Sequence, residues 1–142
     1  MVVPGIPIKL LVKVPCAIIE HEGRILAAQR SASGSLPLKW EFPGGKLEAG
    51  ETEEEGLERE IQEELCVEIK IGKQLPVTER DDIVRIIRLV PFVCQLATHD
   101  IVLTEHEQIL WLTPEELPHL DWAEADRDVV RHYLDYLAEK NY

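Results

Sequence analysis

The sequence predicts an α+β fold in which a mixed β-sheet is covered by helices. Three observations point to it. Apolar, β-branched runs of strand length recur along the chain. Two segments, 52–65 and 123–139, carry their apolar residues at helical spacing instead. These elements do not follow the regular βαβ alternation that builds an all-parallel sheet. The 142 residues are read as one domain spanning 1–142, long enough to bury most of its apolar surface. With 45% apolar and 30% charged residues, the chain falls among globular rather than disordered sequences.

Taken in order, Lys9 to Ile19 is rich in Leu, Val and Ile and leads to the turn pair Glu22-Gly23. Arg24 to Arg30 follows as a second strand, so the two read as a hairpin. Residues 31–39, SASGSLPLK, form a polar loop. WEFPGG, 40–45, is a short extended piece stopped by Pro43 and two glycines. Thr52 to Leu65 reads as a helix, because Thr52 and Glu55 fit a capping box and Leu57, Ile61 and Leu65 form one stripe. Residues 67–71, 83–97 and 108–112 read as strands, and Pro114 to Leu117 as a helical turn. Ala123 to Glu139 closes the chain as a helix with Val129, Val130, Tyr133, Leu134 and Leu137 on its apolar side.

Charge and cysteines narrow the setting. The formal charge of −12 argues against binding a nucleic acid polymer through its phosphates. Small phosphate compounds remain compatible if metal ions stand between the two negative partners. No run reaches 18 apolar residues, so no membrane span is expected. Met1 to Leu10 lacks the order of a secretory signal. Cys16, Cys66 and Cys94 are odd in number and lack CxxC spacing, which reads as reduced thiols in a cytoplasmic protein rather than a zinc site.

Ten of the residues from 48 to 68 are glutamates, a self-repelling density. Glu53, Glu54 and Glu55 suit the positive end of the helix dipole. With Glu60 set at zero on the helical wheel, Glu63 falls at about 300° and Glu64 at about 40°. Leu57, Ile61 and Leu65 fall at about 60°, 100° and 140°. Three carboxylates therefore share a face adjoining the buried stripe, in the oxygen chemistry that Mg²⁺ and Mn²⁺ prefer. The alternative is a solvated charged helix face. Gly44-Gly45 after Pro43 favours the metal reading, because backbone without side chains can approach a metal or phosphate closely. Arg59 can hold carboxylates with its planar fork.

The order Gly45-x5-Glu51-x7-Arg59-Glu60-Ile61-x-Glu63-Glu64-x-Cys66-Val67 resembles the Nudix box. Only Cys66 departs from it, standing where the pattern has Gly; a non-Gly residue in the left-handed conformation costs about 1 kcal/mol. Gly56, inside the helix, costs a similar amount, about 1 kcal/mol relative to Ala. RILAAQR, WEFPGGK, EHEQILWL and DWAEAD extend the resemblance to MutT-type nucleotide pyrophosphatases over most of the chain.

The resemblance implies a Nudix fold, an α/β/α sandwich with a mixed β-sheet and the box as loop–helix–loop. It implies hydrolysis of (d)NTPs to a nucleoside monophosphate and pyrophosphate, dependent on Mg²⁺ or Mn²⁺, in the manner of nucleotide-pool sanitation acting on 8-oxo-dGTP or cytosine nucleotides. Metal ligands would be Glu60, Glu63, Glu64 and the carbonyl of Gly44, joined by Glu105, with Glu107 as the alternative. Glu105 would be ligand, general base, or both. Glu51 and Arg59 would orient the glutamates, and His106 is read as a bystander.

Arg30 and Lys46 are candidate phosphate contacts or ordinary surface cations. Phe42 would stack on a base or join the core. Asp126 matches the position that reads the base edge; ionised, it accepts from N4 of cytosine or N1 and N2 of guanine, and protonated it also donates. Its plain alternative is a cap for the last helix. The stretch RDDIVR lacks the Pro of ADP-ribose hydrolases, and no Tyr typical of dinucleoside polyphosphate hydrolases precedes Tyr133. A domain that senses a nucleotide without cleaving it is the alternative function.

Overall fold

The computed structural model describes Gly5 and residues 8–141. Seven strands form one mixed sheet: β1 (Leu10–His21), β2 (Arg24–Gln29), β3 (Trp40–Glu41), β4 (Ile69–Gln74), β5 (Thr78–Asp81), β6 (Arg85–Leu96) and β7 (Gln108–Leu112). Two helices, α1 (Glu53–Leu65) and α2 (Glu124–Lys140), cover it. At the centre β1 lies parallel to β6, in register from Leu10↔Arg85 to Glu20↔Gln95. The far edge of β6 pairs with β4 and β5 in succession, both antiparallel.

Strand β1 is buried on both faces from Pro15 to Ile19, and its alternation there divides the core. Cys16 and Ile18 join Val129, Val130 and Tyr133 of α2 on one side. Ala17 and Ile19 join Leu57, Ile61 and Leu65 of α1 on the other. A strand covered by a helix on each side reads as a continuous apolar run for this reason. The expected sandwich of helix, sheet and helix is the observed one.

The expected hairpin of β1 and β2 forms, but its ladder is short. Only Glu20↔Ile25 and His21↔Arg24 pair. Beyond them β2 turns away to β3 and β7. The vacated edge of β1 is taken by 43–47: Ala17 N–H donates to the Pro43 carbonyl at 2.8 Å, and Gly45 N–H to that of Pro15 at 3.3 Å. A Cβ on Gly44 would lie 2.1 Å from the Pro15 oxygen, so only glycine fits there. This split plants the loop before α1 in the middle of the sheet.

Thr52 caps α1 with both halves of the expected capping box. Cys66 ends it in the left-handed conformation, φ 58° and ψ 34°. Because Cys66 is exposed, Cys66→Gly is expected to stabilise the fold by up to about 1 kcal/mol, read from the urea midpoint. Gly56 also finds its reason: a Cβ would lie 2.3 Å from Leu47 Cδ2 and 3.2 Å from Glu51 Oε1, so the box loop packs against bare helix.

Three expectations shift. Strand β5 was not anticipated, since Thr-Glu-Arg-Asp carries one buried residue and no apolar alternation. The expected helical turn at 114–117 is present but runs further: a turn at 114–116 leads into one 3₁₀ turn, Leu117–His119. Asp126 does not cap α2: the cap position is Ala123, without a side-chain bond. No helix among the described residues is long and apolar enough to cross a membrane. Cys16, Cys66 and Cys94 are free thiols.

Candidate active site

The box helix, the loop before it, β3 and the loop before β7 meet at a cleft of about 730 Å³. Its lining includes Gly44, Gly45, Glu60, Glu64, Glu105 and Asp126. Glu64, one turn beyond Glu60, is the most enclosed carboxyl, only 4% exposed. Its Oε2 is buried without a hydrogen-bond partner. Burial, then the charges of Glu41, Glu60 and Glu105, pushes its pKa up to about 9. Gly45 makes room for Glu60, because a Cβ there would overlap that carboxyl at 2.4 to 2.6 Å.

Arg59 organises the approach. Its Nε and Nη2 donate to the two Glu51 oxygens at 2.7 and 2.9 Å, a two-pronged contact. Its Nη1 donates to Glu60 Oε1 at 2.9 Å and lies 3.3 Å from Glu63 Oε2. Nη2 also reaches the Lys46 carbonyl at 3.1 Å. These bonds to Arg59 hold the Glu51 carboxyl down at about 2. Glu51 in turn accepts from Glu48 N–H at 2.7 Å, so the pair ties the box loop to α1.

Other candidates divide. Glu63 does not line the cleft; it stands exposed on the shoulder beside Arg59. Glu105 lines the cleft, whereas Glu107 Oε1 accepts from Ala32 N–H at 3.2 Å. Lys46 lines the cleft and makes no side-chain ion pair among the described residues. Arg30 also lines it, but its guanidinium is engaged by Glu41 Oε1 at 2.7 Å and by Ser35. The Phe42 ring is not brought to the cleft: it is 3% exposed and stacked on Trp122, centroids 4.7 Å apart. What Phe42 contributes is its N–H, which donates to Asp126 Oδ1 at 2.9 Å.

Glu41 was missed as a site residue, though its alternation opposite Trp40 and Phe42 carried the signal. It faces Glu64, held by Arg30 and by His106 Nε2 at 2.9 Å. Arg80 of β5 and Arg85 at the start of β6 line the opposite wall and were missed too, Arg80 because β5 was. Among the described residues no three acidic, His or Cys side chains are already drawn around one point. Hard oxygen donors, an orphaned buried oxygen on Glu64 and the space beside Gly45 nevertheless fit a divalent cation.

Residues 9–133 match the NUDIX domain. The chain belongs to the Nudix family. It is 36% identical over 129 residues to the CTP pyrophosphohydrolase of Escherichia coli K12, covering 87% of this chain and 92% of that protein. It is 38% identical over 107 residues to a putative 8-oxo-dGTP diphosphatase 2 of Mycobacterium tuberculosis H37Rv, covering 72% and 74%. The solution structure of the E. coli ORF135 protein superposes with a TM-score of 0.82 at 32% identity, covering 92% of this chain and 94% of that one.

Two buried carboxyls give this Nudix domain a pH signature. Burial raises Asp126 to about 8, with the Phe42 N–H opposing, and Glu64 to about 9. Both folded values lie above the unfolded ones, near 3.8 and 4.5. Their contribution to stability is therefore whole below about pH 4 and is lost as pH rises through 8 and 9. Thermal midpoints of the metal-free protein in chelator are expected to fall by a few degrees per pH unit over that range. Glu64→Gln and Asp126→Asn should each flatten the slope, and an unchanged slope in both would refute the assignment.

Proposed function

We propose that the protein hydrolyses nucleoside triphosphates between the α and β phosphates, releasing a nucleoside monophosphate and pyrophosphate, with Mg²⁺ or Mn²⁺. The observation that carries this is the buried, unpartnered Glu64 carboxyl facing Glu41, Glu60 and Glu105 across a cleft. Without a cation a proton on Glu64 relieves the cluster, and a divalent cation would take that proton's place. When bound, the cation neutralises the polyphosphate and makes its phosphorus open to attack by water.

The chain's own residues supply the rest. Glu60, Glu64 and the Gly44 carbonyl would hold the cation, and Glu63, exposed beside Arg59, would join them from outside the cleft. Arg59 and Glu51 orient Glu60. Glu105 takes the proton of the attacking water, and the bridging oxygen leaves with pyrophosphate. Lys46 meets the phosphate charge, with Arg30 supporting it from behind Glu41. Asp126 offers one oxygen to the base while Phe42 N–H fixes the other. Holding a proton at neutral pH, Asp126 can donate as well as accept, which suits a cytosine or an oxidised guanine. The CTP pyrophosphohydrolase relative supports the cytosine nucleotides as the first choice.

The test is a panel of CTP, dCTP, a methylated dCTP, dGTP, 8-oxo-dGTP, ADP-ribose and a dinucleoside polyphosphate, with each metal, scored for monophosphate and pyrophosphate. Turnover of cytosine nucleotides above the others is expected. Nucleotide-dependent thermal stabilisation without product from any member would mean a sensor instead.

A further inference from the structure

His106 stands beside Glu105 and has been given no part in the chemistry, yet its side chain is only 4% exposed. Its Nε2 lies 2.9 Å from Glu41 Oε2; a carboxylate only accepts, so the ring donates there. The other nitrogen, Nδ1, is buried with no partner, so Glu41 is the polar contact that orients the ring. Glu41 is itself fixed by Arg30 and by the pairing of β3 with β2.

The rest of the segment is tied down at intervals. Val102 N–H donates to the Leu65 carbonyl at 3.0 Å and Thr104 N–H to that of Glu64 at 3.2 Å. Thr104 Oγ1 donates to the Glu63 carbonyl at 2.7 Å. Glu107 N–H donates to the Gln29 carbonyl at 3.0 Å. The 102–107 loop is thus pinned to the last turn of α1 on one side and to β2 and β3 on the other. Glu105 sits between the two sets of pins, and no partner holds its own side chain among the described residues. What sets its position is the backbone on either side of it.

We infer that His106 is a positioning residue for Glu105: bonded to Glu41, it locks the loop so that Glu105 faces Glu64 across the cleft. The inference rests on the hydrolytic reading of that cleft. Thr104 acts as the matching pin on the α1 side. A side chain that holds a reacting group through a second residue is expected to affect turnover rather than substrate affinity.

The experiment compares H106L, which keeps the bulk and removes the donor, with H106Q, which restores an N–H toward Glu41. H106L is expected to lower kcat by about 10- to 100-fold at little-changed KM, and H106Q to recover most of it. In an E105Q background H106L should bring no further loss, because the group it positions is gone. A second readout needs neither metal nor turnover: amide-exchange protection at Thr104 and Glu107 should be lost in H106L and kept in H106Q. An equal loss of kcat with and without Glu105, or unchanged protection in H106L, would overturn the inference. If H106L does not fold, T104V carries the same comparison from the other pin. Wild-type protein that turns over no nucleotide would sink the hydrolytic reading, while the exchange experiment would still decide whether His106 fixes the loop.

Discussion

Glutamine at Glu64 is expected to lower kcat for the best nucleotide by at least about 10²-fold, and glutamine at Glu60 to do the same. Both substitutions keep shape and remove charge, so the loss reports the missing ligand rather than a cavity. The two should differ in their effect on the fold. Glu60 is held by Arg59, and glutamine there leaves that guanidinium with one charged partner fewer. Glu64 is penalised first by burial and then by the charges of Glu41, Glu60 and Glu105, and a neutral glutamine relieves both. Metal-free Glu64→Gln is therefore expected to melt higher than the parent at pH 8, an inactive protein that is the more stable one. Glu58→Gln, on the exposed side of the same helix, is the control and should keep full activity. Parental turnover in Glu60→Gln and Glu64→Gln would remove these carboxylates from the chemistry.

Alanine at Gly44 destabilises the fold by about 3 kcal/mol or more. Its Cβ would stand 2.1 Å from the Pro15 oxygen and 2.8 Å from Cys16 Cα, both main-chain atoms of the central strand. Neither can swing aside as a side chain would, so the 43–47 segment must lift from β1. That lift carries away the Gly44 carbonyl and the seat of Glu60, so activity falls with stability. Gly34→Ala is the comparison, since nothing lies within 4 Å of its Cβ, and it should change stability by less than about 0.5 kcal/mol. Urea denaturation of the two variants measures the difference, and equal midpoints would contradict it.

Much of this arrangement was legible in the residues. The capping box, the apolar stripe of α1 and the strands flanking it follow from local chemistry, and local chemistry is what a single sequence carries. The helical wheel placed Glu60 and Glu64 beside the buried stripe, where they lie. It also placed Glu63 with them, but a wheel has no neighbouring elements, and the sheet covers only one side of that arc. Phe42 read as a base platform or a core residue, and only its packing on Trp122, eighty residues away in sequence, puts the ring in the core. Strand β5 was illegible because an edge strand with one buried residue has no pattern to show. The bonds of Glu41 to Arg30 and His106 were hidden for a related reason: three residues from three elements meet only once the sheet is assembled.

The parallel pairing of β1 with β6 has a consequence for how the molecule comes into being. Its partners are 75 positions apart along the chain, as in the bond between Gln95 and Glu20. No ribosome-bound fragment ending before Gln95 holds the whole central ladder. Helix α1, made early, must wait for the strand that completes the sheet it packs on. Such distant pairing places folding in the slow, millisecond-to-second regime rather than the microsecond one. During that wait the apolar faces of both halves are open to other chains, and the acidic charge of −12 gives like molecules a reason to stay apart.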